Sequence, residues 1–385
     1  MKEIPVKFNT SGLTLLSSPV EEILDGVASL GIYITDLERK VVFWNRAAEE
    51  ITGYSRDDIV GSSCKDDILC HVDRHGRGLC ASEVCPLYRC MVTNDARRLS
   101  TFVFAKKKDG TRVPVIISVS PIRDNEGRAI GGMEIFQEAV AEAQQWQLAR
   151  EVQHRFFPDP ALISKLAPIG YDYCPADEIG GDLFSFFPVK NGLVAGVILD
   201  VSGHGTASAL MVSFIRSTLF EFQQHQIEKP SGVLKYLAER YEAFNVRSHH
   251  FTAQAFVYNP STCDLILSNA GHPLPVIIDA NGVPTMLDLG DGGPPIGLFG
   301  ETEFSDFSVR LKGCRIVFYS DGIIESKSPS GRRIEEEGLR DMCSETYSMK
   351  PAAAAKELVK RAFAYAESAD PQDDMTAIVL DGVPQ

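Results

Sequence analysis

Apolar residues recur at three- and four-residue spacing through Val20, Ile23, Leu24, Val27 and Leu30, which predicts a short helix over Val20–Leu30. Two apolar runs follow, Gly31–Thr35 and Val41–Asn45, split by the polar turn Asp36–Lys40, and they predict a hairpin. Phe102–Ala105, Thr111–Ser120 and Ala129–Gln137 predict three more strands. The turns between them carry Asp109-Gly110 and Asp124-Asn125-Glu126-Gly127, which suit tight reversals. These elements make a small α+β sheet domain. Gln137–Phe157 then runs without Gly or Pro and predicts a helix stopped by Pro158, with a heptad trace through Ala141, Gln145, Leu148 and Val152.

From Tyr171 to Val383 apolar runs alternate with turns. Strands are predicted at Leu193–Leu199, Thr252–Tyr258, Asp264–Asn269, Pro275–Asp279, Arg315–Tyr319 and Thr376–Leu380. Helices are predicted at Ala207–Gln224, Gly232–Asn245 and Ala352–Glu367. Many strands with few long helices suggest a β-sandwich flanked by helices.

The length of 385 residues fits two or three domains, and 44% hydrophobic with 23% charged residues describes an ordinary soluble protein. The net charge of −14 argues against a nucleic-acid partner. It is also uneven: residues 1–140 hold 18 basic and 20 acidic residues, leaving 20 and 32 to the remainder. Such a surplus is either a solvated surface or carboxylates gathered for metal ions. The longest purely apolar stretch, near Leu193–Leu199, falls far short of the ~20 residues of a membrane span. The first ten residues lack the apolar core of a signal peptide. No membrane association and a cytoplasmic location are therefore expected, with the nine cysteines mostly reduced or metal-bound.

The run ITDLERKVVFWNRAAEEITGYSRDDIVG (Ile34–Gly61), with KKDGTRVPV near the end of the same region, resembles a PAS sensor domain. The resemblance covers residues 18–138. It leaves a tail over 1–17, a helical linker over 139–164 and a second domain over 165–385. The Gln137–Phe157 helix is either a rigid connector or a signalling helix that pairs with its copy in a homodimer.

Four carboxylate motifs stand beside apolar runs in the second half: Gly180-Gly181-Asp182, Asp200-Val201-Ser202-Gly203-His204-Gly205, Ser320-Asp321-Gly322 and Gln372-Asp373-Asp374-Met375-Thr376. An Asp-Gly after a strand is most often only a turn. Strand ends are also rigid places for metal ligands. Oxygen-only ligands would select Mg²⁺ or Mn²⁺ over zinc. Spacing alone leaves both readings open.

EVQHRFFPDPAL, CPADEIGGD, LDVSGHGTASAL, FTAQAFVYNPSTCDLILSNAGHPLP, GGPPIGLF, FYSDGIIES and QDDMTAIVL, in that order, resemble the SpoIIE/RsbU-like branch of PPM-type serine/threonine phosphatases. The resemblance implies an α/β/β/α sandwich with two Mn²⁺ or Mg²⁺ ions at one edge. It implies that Asp200 bridges both ions, helped by the Val201 carbonyl, that Asp321 and Asp373 bind one of them, and that Asp182 binds or orients water near the other. It further implies a phosphorylated regulatory protein of the anti-sigma-factor antagonist type as substrate. Two such cations activate water and clamp phosphoryl oxygens, so no side-chain nucleophile is needed. His204 is a candidate general acid, and His272 reads as a turn residue. Ser185 stands where relatives often carry a further Asp. An alternative is a weakly catalytic module that docks a partner without turnover.

Cys64, Cys70, Cys80, Cys85 and Cys90 crowd into one short stretch of the sensor region without a C-x-x-C pair. Three readings stay open. The thiols pack the pocket; Cys64, Cys70, Cys80 and Cys85, with His71 or His75, hold an iron–sulfur cluster or a metal; or two thiols form a redox-switched disulfide.

Overall fold

The computed structural model of the chain describes residues 18–383 except 65, 67, 75, 81, 83, 95–99, 204, 223–228, 245–248, 291, 301 and 367–370. The chain forms two compact units that part after Gln145. No helix among the described residues is long and apolar enough to cross a membrane.

The first unit contains α1 (Ser18–Asp25), β1 (Gly31–Asp36), β2 (Val41–Trp44), α2 (Arg46–Thr52), α3 (Arg56–Ile59), α4 (Pro86–Thr93), β3 (Ser100–Lys106), β4 (Arg112–Arg123) and β5 (Ala129–Glu138). Its five strands form one antiparallel sheet in the order β2-β1-β5-β4-β3. The motif that marks this region is a set of local restraints. Buried Asn45 accepts from Ile32 N at 2.8 Å and from Ala48 N at 3.0 Å, and donates to the carbonyls of Leu24 and Leu30. It therefore caps α2 and ties β1 to the chain before it, with all its polar capacity used. Gly53 ends α2 at φ +77°, and Ser55 with Asp58 makes a capping box for α3.

α5 (Val140–His154) runs on from β5 and its residues divide between the units. The second unit continues with α6 (Pro160–Leu166), β6 (Ile169–Cys174), β7 (Asp182–Pro188), β8 (Val194–Val201), α7 (Thr206–Phe222), α8 (Pro230–Phe244), β9 (Phe251–Asn259) and β10 (Asp264–Ala270). There follow β11 (Val276–Ile278), β12 (Pro284–Met286), β13 (Phe307–Arg310), β14 (Arg315–Tyr319), α9 (Asp321–Glu325), α10 (Glu335–Thr346), α11 (Pro351–Ala366) and β15 (Met375–Asp381). Two antiparallel sheets result, ordered β13-β10-β9-β8-β7 and β12-β11-β14-β15-β6.

Three cores separate four layers. Leu199, Val212, Leu234 and Ala253 pack α7 and α8 on the first sheet. Ile198, Phe256, Phe318 and Ile378 fill the space between the sheets. Val317, Leu339, Leu358 and Val379 pack α10 and α11 on the second sheet. A central strand thus has both faces in a core, which is why β8 and β14 read as continuous apolar runs. Phe256 and Phe318 stack with ring centroids 4.9 Å apart and join the sheets at their middle.

The expected α+β class and helix-flanked sandwich are what the chain forms. Several boundaries differ. The predicted Gln137–Phe157 helix begins only at Val140, because β5 extends to Glu138, and it ends at His154, four residues before Pro158. The predicted Val20–Leu30 helix ends at Asp25. β6, β7, β12, β13, α6, α9 and α10 had no counterpart in the periodicity. β6 carries Asp172 and β7 opens on Asp182 with Ser185 inside, so neither reads as an apolar run, although tertiary packing covers most of β7.

Gly196 lies opposite Phe256 across β8 and β9, and a Cβ there would stand 2.2 Å from the ring. Because that ring is already stacked on Phe318, Gly196→Ala is expected to cost about 1–3 kcal/mol of stability, read as a lower urea midpoint at unchanged slope.

Candidate functional site

Both sheets of the second unit deliver carboxylates to one edge. β7 and β8 pair so that Asp182 stands directly opposite Asp200. In the other sheet, β14 leads through Ser320 into α9, whose first residue is Asp321, while Asp373 and Asp374 immediately precede β15. Asp200 and Asp321 share a side-chain hydrogen bond, which brings the two sheets' contributions into contact. The Thr376 hydroxyl donates to Asp182 Oδ2 at 2.6 Å and makes a second bridge between the sheets.

Crowding raises these groups. Burial, then the charges of Asp321, Asp373 and Asp374, push Asp200 up to about 8. Burial followed by Asp373 and Glu325 pushes Asp321 up to about 6. Asp182 is raised well above the carboxylate range, first by burial and then by Asp200 and Asp374. Its Oδ1 is buried without a hydrogen-bond donor. Like charges facing each other across a strand pair destabilise it, and an orphaned buried oxygen adds to that cost. A divalent cation relieves both.

The donor set therefore fits hard cations: carboxylate oxygens, one of them buried and unpartnered, whose charges raise one another. Among the described residues no three His, Cys, Asp or Glu side chains are yet drawn into one ion's reach. Of the residues expected to serve, Asp182, Asp200, Asp321 and Asp373 all belong to this edge, and Val201, buried, ends β8 beside them. His204 lies outside the described residues, as does His75. His272 is a buried turn residue, bonded through its backbone to Asn269 and through Nδ1 to the Thr252 hydroxyl. Ser185 shares the helix-facing side of β7 with Leu183 and Phe187, whereas Asp182 reaches Thr376 of the other sheet. A carboxylate there would point away from this edge.

Two residues that sequence reasoning left without a role hold the edge together. Asp374 accepts from Ala176 N at 2.6 Å and Gly181 N at 2.5 Å, and its own backbone carbonyl accepts from the Ser320 hydroxyl. The loop before Asp182 is thus tied to the segment that carries Asp373. The glycines of the motifs follow from this contact. A Cβ on Gly180 would stand 2.6 Å from an Asp374 carboxylate oxygen, and one on Gly322 would stand 2.1 Å from the Asp374 carbonyl oxygen. Gln153, near the end of α5, is buried and bonds Gly180 twice, through Nε2 to its carbonyl at 2.8 Å and through Oε1 from its N–H at 3.1 Å. Arg150, one turn earlier, pairs with Glu178 of the same loop. The adjacent aspartates of Gln372–Thr376 were the available signal for Asp374; nothing in the pattern marked Gln153.

In the first unit Cys64, Cys85 and Cys90 are buried and Cys70 and Cys80 are half-buried.

Residues 190–382, half of the chain, match the family model described as Stage II sporulation protein E (SpoIIE), and residues 29–139 match a PAS domain. The phosphoserine phosphatase RsbP of Bacillus subtilis is 28% identical over 184 residues, which are 46% of this chain and 45% of that protein. Protein IcfG of Synechocystis is 22% identical over 228 residues, 52% of this chain and 36% of that protein. The chain therefore spans less than half the length of these curated relatives. The solved SiaA-PP2C domain of Pseudomonas aeruginosa aligns with a TM-score of 0.56 at 17% identity, over 63% of this chain and 97% of that one. That likeness shows a shared fold.

Asp374→Ala leaves the buried N–H of Gly181 and that of Ala176 without their acceptor, so a loss of about 2–4 kcal/mol is expected in denaturant unfolding. Asp374→Asn, which retains one acceptor oxygen, is expected to fall between the two.

Proposed function

This chain belongs to the SpoIIE family, and from that premise we propose that it is a PAS-regulated, metal-dependent protein serine/threonine phosphatase. The observation that carries the reading is the edge where Asp182, Asp200, Asp321 and Asp373 come from two sheets and the carboxylates raise one another. The likeness to a phosphoserine phosphatase supports the same activity. The substrate is a phosphoserine or phosphothreonine on a small regulatory protein of the anti-sigma-factor antagonist type.

Asp182, Asp200, Asp321 and Asp373, with the Val201 carbonyl, would hold two Mn²⁺ or Mg²⁺ ions. Such ions supply Lewis acidity toward phosphoryl oxygens and lower the pKa of water. The chain's own residues provide the frame. Thr376 fixes the orientation of Asp182, Asp374 sets the height of the loop behind it, and the backbone termini of β8 and β14 keep Asp200 and Asp321 adjacent. The alternative of a docking module without turnover drew on Ser185, which lies on the wrong face of β7 to weaken the edge.

The route for regulation is α5. Gln153 grips Gly180, two residues before Asp182, so displacement of the helix end reaches a carboxylate through one reciprocal pair of hydrogen bonds. Leu148 and Val152, four residues apart on α5, are 64% and 52% exposed, and they supply an apolar face for pairing with a second copy.

Phosphate release from a phosphoserine peptide with Mn²⁺ tests the activity. It is expected to need the ion and to fall at least about a hundredfold in Asp321→Ala. Stoichiometric binding of the phosphoprotein without turnover, in both the full chain and residues 140–385, would instead favour the docking module. Gln153→Ala is expected to change the rate of the full chain under conditions where it is fully folded, and to lower its unfolding free energy by about 1–3 kcal/mol because the buried N–H and carbonyl of Gly180 lose their partner.

A further inference from the structure

One polar side chain lies inside the sandwich of the second unit with nothing to bind. Gln254 is wholly buried on β9, and neither its amide nitrogen nor its amide oxygen has a hydrogen-bond partner. Its direction follows from the alternation of the strand. Ala253, Ala255 and Val257 pack toward α7 and α8, whereas Phe256 and Tyr258 enter the space between the sheets. Gln254 therefore points between the sheets as well. Cross-strand pairing places it opposite Ile198 of β8 on one side and Asn269 of β10 on the other. The next row toward the carboxylate edge is Asp182, Asp200 and Thr252, paired in that order. The amide thus sits one row behind the carboxylates and diagonal to Asp200.

Packing does not account for it. Ile198 and Phe256 beside this position are apolar, and an unpartnered buried amide costs stability that a hydrocarbon of the same shape would not. The neighbouring polar groups are already engaged. Asn269 spends both ends of its side chain on the backbone of His272, at 2.9 and 3.0 Å. The Thr252 hydroxyl is 2.8 Å from His272 Nδ1. In the facing sheet the Ser320 hydroxyl donates to the Asp374 carbonyl and accepts from Thr376 N, and the Thr376 hydroxyl donates to Asp182. Of these described neighbours Asp200 remains. Diagonal neighbours in an antiparallel pair lie about 7–8 Å apart, a gap that long side chains span. We propose that Gln254 is a positioning residue for the carboxylate edge, its amide nitrogen donating to Asp200 when that carboxylate holds a divalent cation. The inference rests on reading the edge as a metal centre. A ligating carboxylate keeps lone pairs directed away from its ion, and a donor behind it fixes its orientation. An uncharged amide supplies two N–H groups for this without adding a positive charge that would compete with the ion. No existing bond has to break for the side chain to turn toward Asp200.

Mn²⁺ binding by calorimetry and urea unfolding, both on the full chain stripped of metal, test this. Gln254→Met keeps the length of the side chain and removes the amide. It is expected to weaken Mn²⁺ binding at least about tenfold. The metal-free variant should nevertheless keep a urea midpoint at or above the native one, because an unpartnered amide has gone. Gln254→Leu, a second apolar replacement, should behave in the same way. Asp321→Ala should abolish binding, which assigns the measured ions to the edge. A Gln254 that only packs gives the reverse, a lower metal-free midpoint with Mn²⁺ affinity unchanged, and that overturns the proposal. So does weaker binding that merely accompanies a lower metal-free midpoint in both variants. No Mn²⁺ binding by the native chain overturns the metal-centre reading and this inference together, whereas native binding matched by both variants overturns this inference alone.

Discussion

Five carboxylates share one edge of the second unit, and the repulsion among them is the constraint on which the rest of that unit depends. Asp182 and Asp200 are fixed opposite each other by the pairing of β7 and β8, and Asp321, Asp373 and Asp374 come from the facing sheet. Separate strands could relieve the strain by moving apart. They do not, because three cores clamp both sheets from both sides and Phe256 on Phe318 locks their middle. Stability made in the apolar layers thus holds a charge arrangement that is unfavourable by itself, a common relation between fold and site.

Asp374 shows how that arrangement is distributed. Its carboxylate accepts from the N–H groups of Ala176 and Gly181 and so ties the GGD loop to the segment that carries its neighbour Asp373. The same loop is held from its other side by Gln153 of α5, so the helix that leaves the sensor touches the site through backbone rather than through a ligand.

The two units keep contrasting donor chemistry. The carboxylate edge of the second unit is all oxygen, whereas the interior of the first unit buries thiols and the His71 imidazole. In the sensor unit, as in the other, a single polar residue orders the frame. Asn45 spends every hydrogen bond it has on joining α1, β1 and α2.

Much of this was legible in the chain itself. Strands whose two faces both enter a core, such as Val194–Val201 and Arg315–Tyr319, announce themselves as apolar runs, and the motif aspartates sit at their ends, where a rigid strand gives way to a turn. The order of those motifs gave the family, and capping residues such as Asn45, Gly53 and Ser55 gave the sensor domain. What periodicity could not reveal were strands interrupted by charge, as in Ile169–Cys174 and Asp182–Pro188, because their burial comes from partners distant in sequence. Nor could it single out Asp374 as the support of the GGD loop, or turn Ser185 away from the edge. Those assignments depend on which face of a strand or hairpin meets which neighbour. A linear sequence carries local propensity and the identity of donors; only the packed sheets decide which donors share a space, and therefore whether like charges gather for a cation or never meet.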